Sequence, residues 1–188
     1  ILTLTVFQGT SVVSLAIFKD KRTNTEVRIS LAPVNKWEFL CGTFLGVWVS
    51  LAVFSCAIFV LLILLLSVDY GPRPGFALLF LTAEAFLAAA IGVSLAVLLD
   101  NEKAANGIVS TIVPLFVFIG GGYMMIPETG FLADISVLSP IRWLNLALLS
   151  EASGSPNKEY ALTALLFCFA LSAVLLAGAG IKVWRKKI

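Results

Sequence analysis

Apolar positions in this chain gather into five long runs, separated by short polar islands. Residues 1–18, 39–68, 104–127 and 160–181 carry no charged side chain, and a fifth run, 74–99, is interrupted only by Glu84. Each run is close to or beyond the length needed to cross a hydrocarbon core roughly 30 Å thick, about 20 helical residues. A soluble domain would have to bury several helices that are apolar on every side, leaving no polar stripe for water. The pattern predicts an all-α, polytopic membrane bundle forming one transmembrane domain over residues 1–188. Its five visible spans are expected at about 1–18, 37–68, 75–99, 104–125 and 159–181, with polar segments at 19–36 and 126–158.

Composition agrees with that pattern. Hydrophobic residues make up 60% of the chain and charged residues 13%, and mean hydropathy is +1.02, far from a soluble domain. Ile1 already stands inside an apolar run, without an initiator Met or the basic head and small-residue cleavage site of a signal peptide. Upstream sequence is therefore expected, and the first visible span need not be the first of the protein.

Charge orients the spans. With loops assigned alternately, ten of the thirteen basic residues fall on one side: Lys19, Lys21, Arg22, Arg28 and Lys36, then Lys103, then Lys182, Arg185, Lys186 and Lys187. The other side holds Arg73, Arg142 and Lys158. Lys/Arg bias in short loops marks the cytoplasmic face, so the basic C-terminus is expected inside a cell membrane, plasma or bacterial inner, and segment 126–158 outside. A net charge of +2 is too small to point to nucleic acid.

Several chemistries drop out at this stage. Histidine is absent, which removes His-based acid–base catalysis and the common zinc sites. Cys41, Cys56 and Cys168 lie in or at the ends of spans with no metal or disulfide spacing, and read as small apolar residues. No Gly-x-x-x-x-Gly-Lys-Ser/Thr run occurs, so the chain is not expected to hydrolyse ATP itself. No catalytic, metal or cofactor residue is assigned.

The island at 19–36 has internal order. Thr23 and Glu26 stand at capping-box spacing, predicting a helix from Asn24, and Pro33 disfavours helix at Ala32, predicting a stop near Leu31. Val27 and Leu31 share a face of it, with Glu26 and Arg28 turned elsewhere. Asn35 with Glu38 makes a second, looser cap that starts the next span at Lys36, placing Trp37 at the interface. The prediction is a short amphipathic helix, a Pro-Val turn and a long membrane helix. A solvated loop with an interfacial helix and a lever pushed by a cytoplasmic partner both satisfy this pattern.

Farther along, Gly42 and Gly46 form a small-xxx-small pair suited to close helix approach. Pro114 is expected to kink its span and Gly120, Gly121 and Gly122 to break it before the outer face. Residues 126–158 are too charged and Pro-interrupted for another span. With Pro127, Pro140 and Trp143 they read as a re-entrant helical hairpin at the outer mouth, against a peripheral loop. Glu84 is the one clearly intramembrane ionisable residue. A charge at that depth costs several kcal/mol, so it is read either as a substrate or cation contact on a pathway or as a hydrogen-bonding group held by Ser50, Ser55 or Thr111.

The run Asp20-Lys21-Arg22-Thr23-Asn24-Thr25, followed by Leu31-Ala32-Pro33-Val34-Asn35-Lys36-Trp37-Glu38-Phe39 and Gly42, resembles the segment after the second span of ABC-2 type transporter permeases. Asn24 replaces that family's usual Gly, and Thr43 stands where Lys is common. Asp100-Asn101-Glu102-Lys103-Ala104-Ala105-Asn106 resembles the link before its fifth span. Pro114 to Pro127, with the three glycines inside, resembles the exit of that span, and Leu138-Ser139-Pro140-Ile141-Arg142-Trp143-Leu144-Asn145 resembles its outer Pro-x-x-Trp segment. The order and spacing hold across nearly the whole chain.

The resemblance implies an N-terminally truncated view of a six-span exporter subunit, whose first span, and in some members a large extracellular domain, lies upstream. It implies a coupling helix at about Thr25–Pro33, with Thr25, Glu26, Val27, Arg28, Leu31 and Pro33 seated in a groove of a separate cytoplasmic ATPase that binds ATP and Mg. A second permease copy, identical or related, would complete the pathway in the lipid membrane, for an amphiphilic or hydrophobic substrate. A non-transporting membrane enzyme or assembly factor is the alternative. Against the enzyme, Glu128, Asp134, Glu151 and Glu159 show no catalytic spacing.

Overall fold

The computed structural model describes Thr10 and residues 36–68, 70–99, 101–123 and 130–185. The expected first span and the 19–36 island thus lie outside the described residues, apart from Thr10 and the backbone of Lys36. Six helices follow in order: α1 (Lys36–Leu66), α2 (Pro74–Leu98), α3 (Glu102–Ile119), α4 (Phe131–Ser136), α5 (Pro140–Ala152) and α6 (Lys158–Arg185). Among the described residues there is no strand. Three helices, over Trp37–Leu66, Pro74–Leu98 and Lys158–Trp184, are long and apolar enough to cross a membrane. The apolar helix over Lys103–Ile119 is shorter.

Helix boundaries follow local chemistry. Asn101 caps α3 by accepting from the Lys103 amide at 2.9 Å, and Asn157 does the same for the Glu159 amide at 2.9 Å where α6 begins; both satisfy a donor that the helix itself leaves free. Pro74 and Pro140 open α2 and α5, where the missing amide hydrogen is no loss. Pro114 does not end α3, which runs on to Ile119.

The hub of the bundle is α2, which packs most extensively along α6 and α1 and also touches α5 and α3. Lipid tails are as apolar as the side chains, so helices in a membrane are held by close packing rather than by a hydrophobic pull. The sequence of α2 suits that requirement. Ala83, Ala85, Ala88, Ala89, Ala90 and Gly92 are all buried, and they let neighbouring backbones approach. Leu40, Phe44 and Leu51 of α1 lodge against this alanine surface. Phe86 of α2 then bridges both partners: its ring meets Phe44 at 4.9 Å and Trp48 at 5.4 Å edge-on, and Phe169 of α6 at 5.0 Å. Such pairs contribute about 0.5–1.5 kcal/mol each beyond simple burial.

The Gly42/Gly46 pair makes no such approach. Among the described residues nothing packs on either glycine. Leu40 and Phe44 face α2, and a step of two residues turns to roughly the opposite side of a helix.

Hydroxyl groups along the long helices are mostly closed on their own backbone. Thr43 donates to the Phe39 carbonyl at 2.8 Å, Ser50 to Gly46 at 2.8 Å, Ser55 to Leu51 at 2.7 Å and Ser172 to Cys168 at 2.7 Å. In an apolar medium this local bond removes an otherwise unsatisfied donor.

Candidate functional site

Two ends of the bundle can be told apart by contact. At one, here the basic end, α1 begins, α2 finishes, α3 begins and α6 finishes, so that Lys36, Lys103, Lys182 and Arg185 belong to it. Trp37 of α1 lies on Gly180 of α6, and the Lys182 ammonium donates to the Leu98 carbonyl at 2.7 Å. A cation beside the free carbonyls of a helix C-terminus is favourably placed against the helix dipole.

At the other end, α4 and α5 form a helical pair joined across residues 137–139. Here α3 stops in a Schellman cap. The Gly122 amide donates to Val117 at 2.8 Å and the Gly121 amide to Phe118 at 3.2 Å, with Gly121 at φ +79°. That left-handed backbone is what a glycine at this position permits. Gly120 packs directly on Ile141 and Ser139, where a β-carbon would collide with both.

The first turns of α5 supply what the end of α3 lacks. Ser139 donates its hydroxyl to the Phe116 carbonyl at 3.0 Å, and the Asn145 amide donates to the Gly120 carbonyl at 3.1 Å. Arg142 reaches back to α4, donating to the Ala133 carbonyl at 2.6 Å and to the Ser136 hydroxyl. The Trp143 indole donates to the Val137 carbonyl at 3.0 Å and faces Tyr160 of α6 at 6.3 Å. Pro140 is buried at the first position of α5. The helix then places Ile141, Leu144 and Ala147, all fully buried, into the same core as Val117 of α3, Phe80 of α2 and Ala164 of α6.

That core holds Glu84. Phe80 and Leu87 precede and follow it by four and three residues, so all three share the face of α2 turned to this cluster. The Glu84 side chain is fully buried, and neither carboxylate oxygen has a hydrogen-bond partner among the described residues. Cys168 of α6 is its electrostatic neighbour. None of the hydroxyls considered from sequence reaches it: Ser50 and Ser55 bond their own helix, and Thr111 is exposed on α3.

The structure thus brings together Gly120, Gly121, Pro140 and Trp143 at one end, with Gly122 completing the cap, while Glu84 lies deeper on α2. Thr25, Glu26, Val27, Arg28, Leu31, Pro33 and Pro127 lie outside the described residues. Cys41, Cys56 and Cys168 are free thiols, and among the described residues no cluster could hold a metal. Sequence reading singled out neither Gly180 nor the bonding roles of Ser139 and Asn145. The local signal was Ser139 standing directly before Pro140, which marks a helix start but not the partner its hydroxyl finds.

Long apolar helices around an alanine-faced hub, with hydroxyls mostly bonded to their own helix and Glu84 as a buried carboxyl within α2, define a multi-pass membrane protein. The chain matches the family model described as ABC-2 family transporter protein over residues 1–181, and it belongs to that family. Its class is therefore a transport component, a membrane permease, rather than a catalyst. No curated protein and no solved structure matches it.

Proposed function

We propose that this chain is the permease subunit of an ATP-driven exporter that moves an amphiphilic or hydrophobic substrate out of the cytoplasm or inner leaflet. The family match over residues 1–181 carries the reading. In it, the chain contributes five spans, with 1–18 and α3 joining the three longer helices. At 1.5 Å per residue α3 is about 27 Å long, close to the thickness of a hydrocarbon core. The α4–α5 pair is a re-entrant hairpin at the outer mouth, and its bonds to Phe116 and Gly120 cover backbone that lipid cannot satisfy.

The basic end faces the cytoplasm of a cell membrane, plasma or bacterial inner, in keeping with its excess of Lys and Arg. A separate ABC ATPase, which binds ATP and Mg, engages Thr25, Glu26, Val27, Arg28, Leu31 and Pro33. A second permease copy, identical or related, completes the assembly. Glu84 serves as a contact on the pathway once the packed core around it opens.

Purification of the full-length permease from its native membrane tests this reading. An ATP-hydrolysing subunit is expected to accompany it, and charge reversal by Glu26→Lys or Arg28→Glu is expected to loosen that subunit. Recovery of the permease with no ATPase bound to its inner loop would remove the energy source and with it the exporter.

A further inference from the structure

Glu84 stands near the middle of α2, about 15 Å from one end and about 21 Å from the other at a helical rise of roughly 1.5 Å per residue. The helix that packs most extensively on α2 is α6. Ala164, Cys168 and Ser172 of α6 are fully buried and, spaced by four, share one side of that helix. Ser172 is closed on the Cys168 carbonyl at 2.7 Å, and Cys168 is the electrostatic neighbour of Glu84. Phe80 and Leu87, on the same face of α2 as Glu84, supply apolar walls.

Both Glu84 carboxyl oxygens are buried with no hydrogen-bond partner among the described residues. Nor does a described counter-charge stand at that depth. Arg73, Lys103, Arg142, Lys158 and Lys182 lie at helix ends, where Arg142 donates to the Ala133 carbonyl and Lys182 to that of Leu98. Glu38 and Glu159 begin α1 and α6, and Glu151 closes α5, while Cys41 and Cys56 are free thiols on α1. An isolated carboxylate removed from water takes up a proton rather than stay charged and unpaired. Ionisable groups at mid-membrane mark paths for ions or substrates. An anionic passenger is repelled once such a group ionises, and an uncharged one gains little from it. A cation gains most, because its attraction to the carboxylate grows as water is excluded.

We propose that Glu84 recognises a positively charged amphiphile, an ammonium or phosphonium group on an apolar body, which displaces a proton from its carboxyl when the seam between α2 and α6 parts. This rests on the reading of Glu84 as a pathway contact and narrows the substrate class. The O–H bond breaks, its proton passes to water, and the carboxylate pairs with the cation without a new covalent bond. Proton and cation compete for the same two oxygens. Lowering the pH therefore weakens cation binding, and raising it tightens binding.

The test is equilibrium binding of tetraphenylphosphonium to the full-length permease, with its ATPase, in zwitterionic nanodiscs. Empty nanodiscs supply the background, and proton release is followed in weakly buffered medium. In the parent, binding is saturable, tightens as pH rises and releases a proton with each cation. Glu84→Gln weakens binding by roughly tenfold or more, as removal of one partner of a buried charge pair does, and abolishes both proton release and pH dependence. Glu84→Asp retains proton release. Glu159→Gln, which removes an exposed carboxyl at the start of α6, behaves as the parent.

Equally tight binding in Glu84→Gln, absence of saturable binding in the parent, or parent binding without proton release overturns the site. The last two are read on the parent, so they hold even where Glu84→Gln fails to assemble. A permease that binds the cation and releases the proton but recruits no ATPase leaves the Glu84 site standing and overturns the exporter. An active complex that binds no cation does the reverse.

Discussion

Asn145 meets the Gly120 carbonyl with a single amide. Removing that donor by Asn145→Ala strands a backbone acceptor at the end of α3, a loss of about 1–3 kcal/mol for a buried group. A lower thermal midpoint of the detergent-solubilised protein is the expected result, with Asn145→Gln retaining more stability than Ala. Glu84 asks for a different measurement because its carboxylate makes no hydrogen bond among the described residues. Glu84→Gln preserves shape and removes the ionisable group. If Glu84 contacts the passenger, transport falls roughly tenfold, equivalent to about 1.4 kcal/mol, while assembly with the ATPase is unchanged. Intact transport with weakened assembly would leave Glu84 as a packing residue. Its presence in an apolar run was plain from sequence, but its surroundings were not. A neighbour such as Cys168 comes from α6, 84 residues along the chain, and local spacing carries no record of such long-range neighbours.

Among the elements, α3 shows how far local sequence reaches. The triple glycine marked a break, and the Schellman cap falls on those glycines, just past Ile119, the last residue of α3. Chain flexibility was legible; the partner that seals the exposed carbonyls was not, because Ser139 and Asn145 lie 23 and 25 residues from their acceptors. Pro114 gave a weaker signal. A proline interrupts one backbone bond, and in a membrane helix the neighbouring turns continue past it. The cap itself is open to test. Gly121→Ala forces a β-carbon into left-handed backbone at φ +79°, which costs about 1–2 kcal/mol. The α4–α5 pair is expected to loosen, seen as faster proteolysis or hydrogen exchange across residues 131–152, with the hub of α2 unaffected. The small-residue pair Gly42/Gly46 is the counterexample: its spacing suggested close packing, yet among the described residues that side of α1 is open. A motif records the possibility of contact, and only the facing helix decides whether it is used.

For the whole molecule, orientation is the property that the sequence expresses most directly and that experiment can settle most simply. Cysteines introduced at Ser153 or Ser155, both exposed beyond α5, are expected to react with a membrane-impermeant maleimide added outside intact cells. A cysteine at Trp184, 74% exposed near the end of α6, is expected to react only after the membrane is opened. The reverse pattern would put the basic end outside and leave a cytoplasmic ATPase nothing to hold. Five apolar runs announced a membrane bundle at once. Which helix sits at its centre was less evident, although the alanine-rich stretch of α2 carried the reason, since small side chains are what let two neighbours approach the same helix closely.

The hydroxyls of Thr43, Ser50, Ser55 and Ser172 have a mechanical consequence. Each is tied to a carbonyl within its own helix, so none has to surrender a neighbour when one helix slides or rolls against the next. Trp48, whose indole donates to the Thr82 carbonyl at 3.2 Å, is the place where α1 would grip α2 during such a movement. Away from that anchor and from the Lys182–Leu98 bond at the basic end, these four hydroxyls travel with their own backbone, and the interfaces they line behave as greased bearings on which a conformational cycle meets little polar friction.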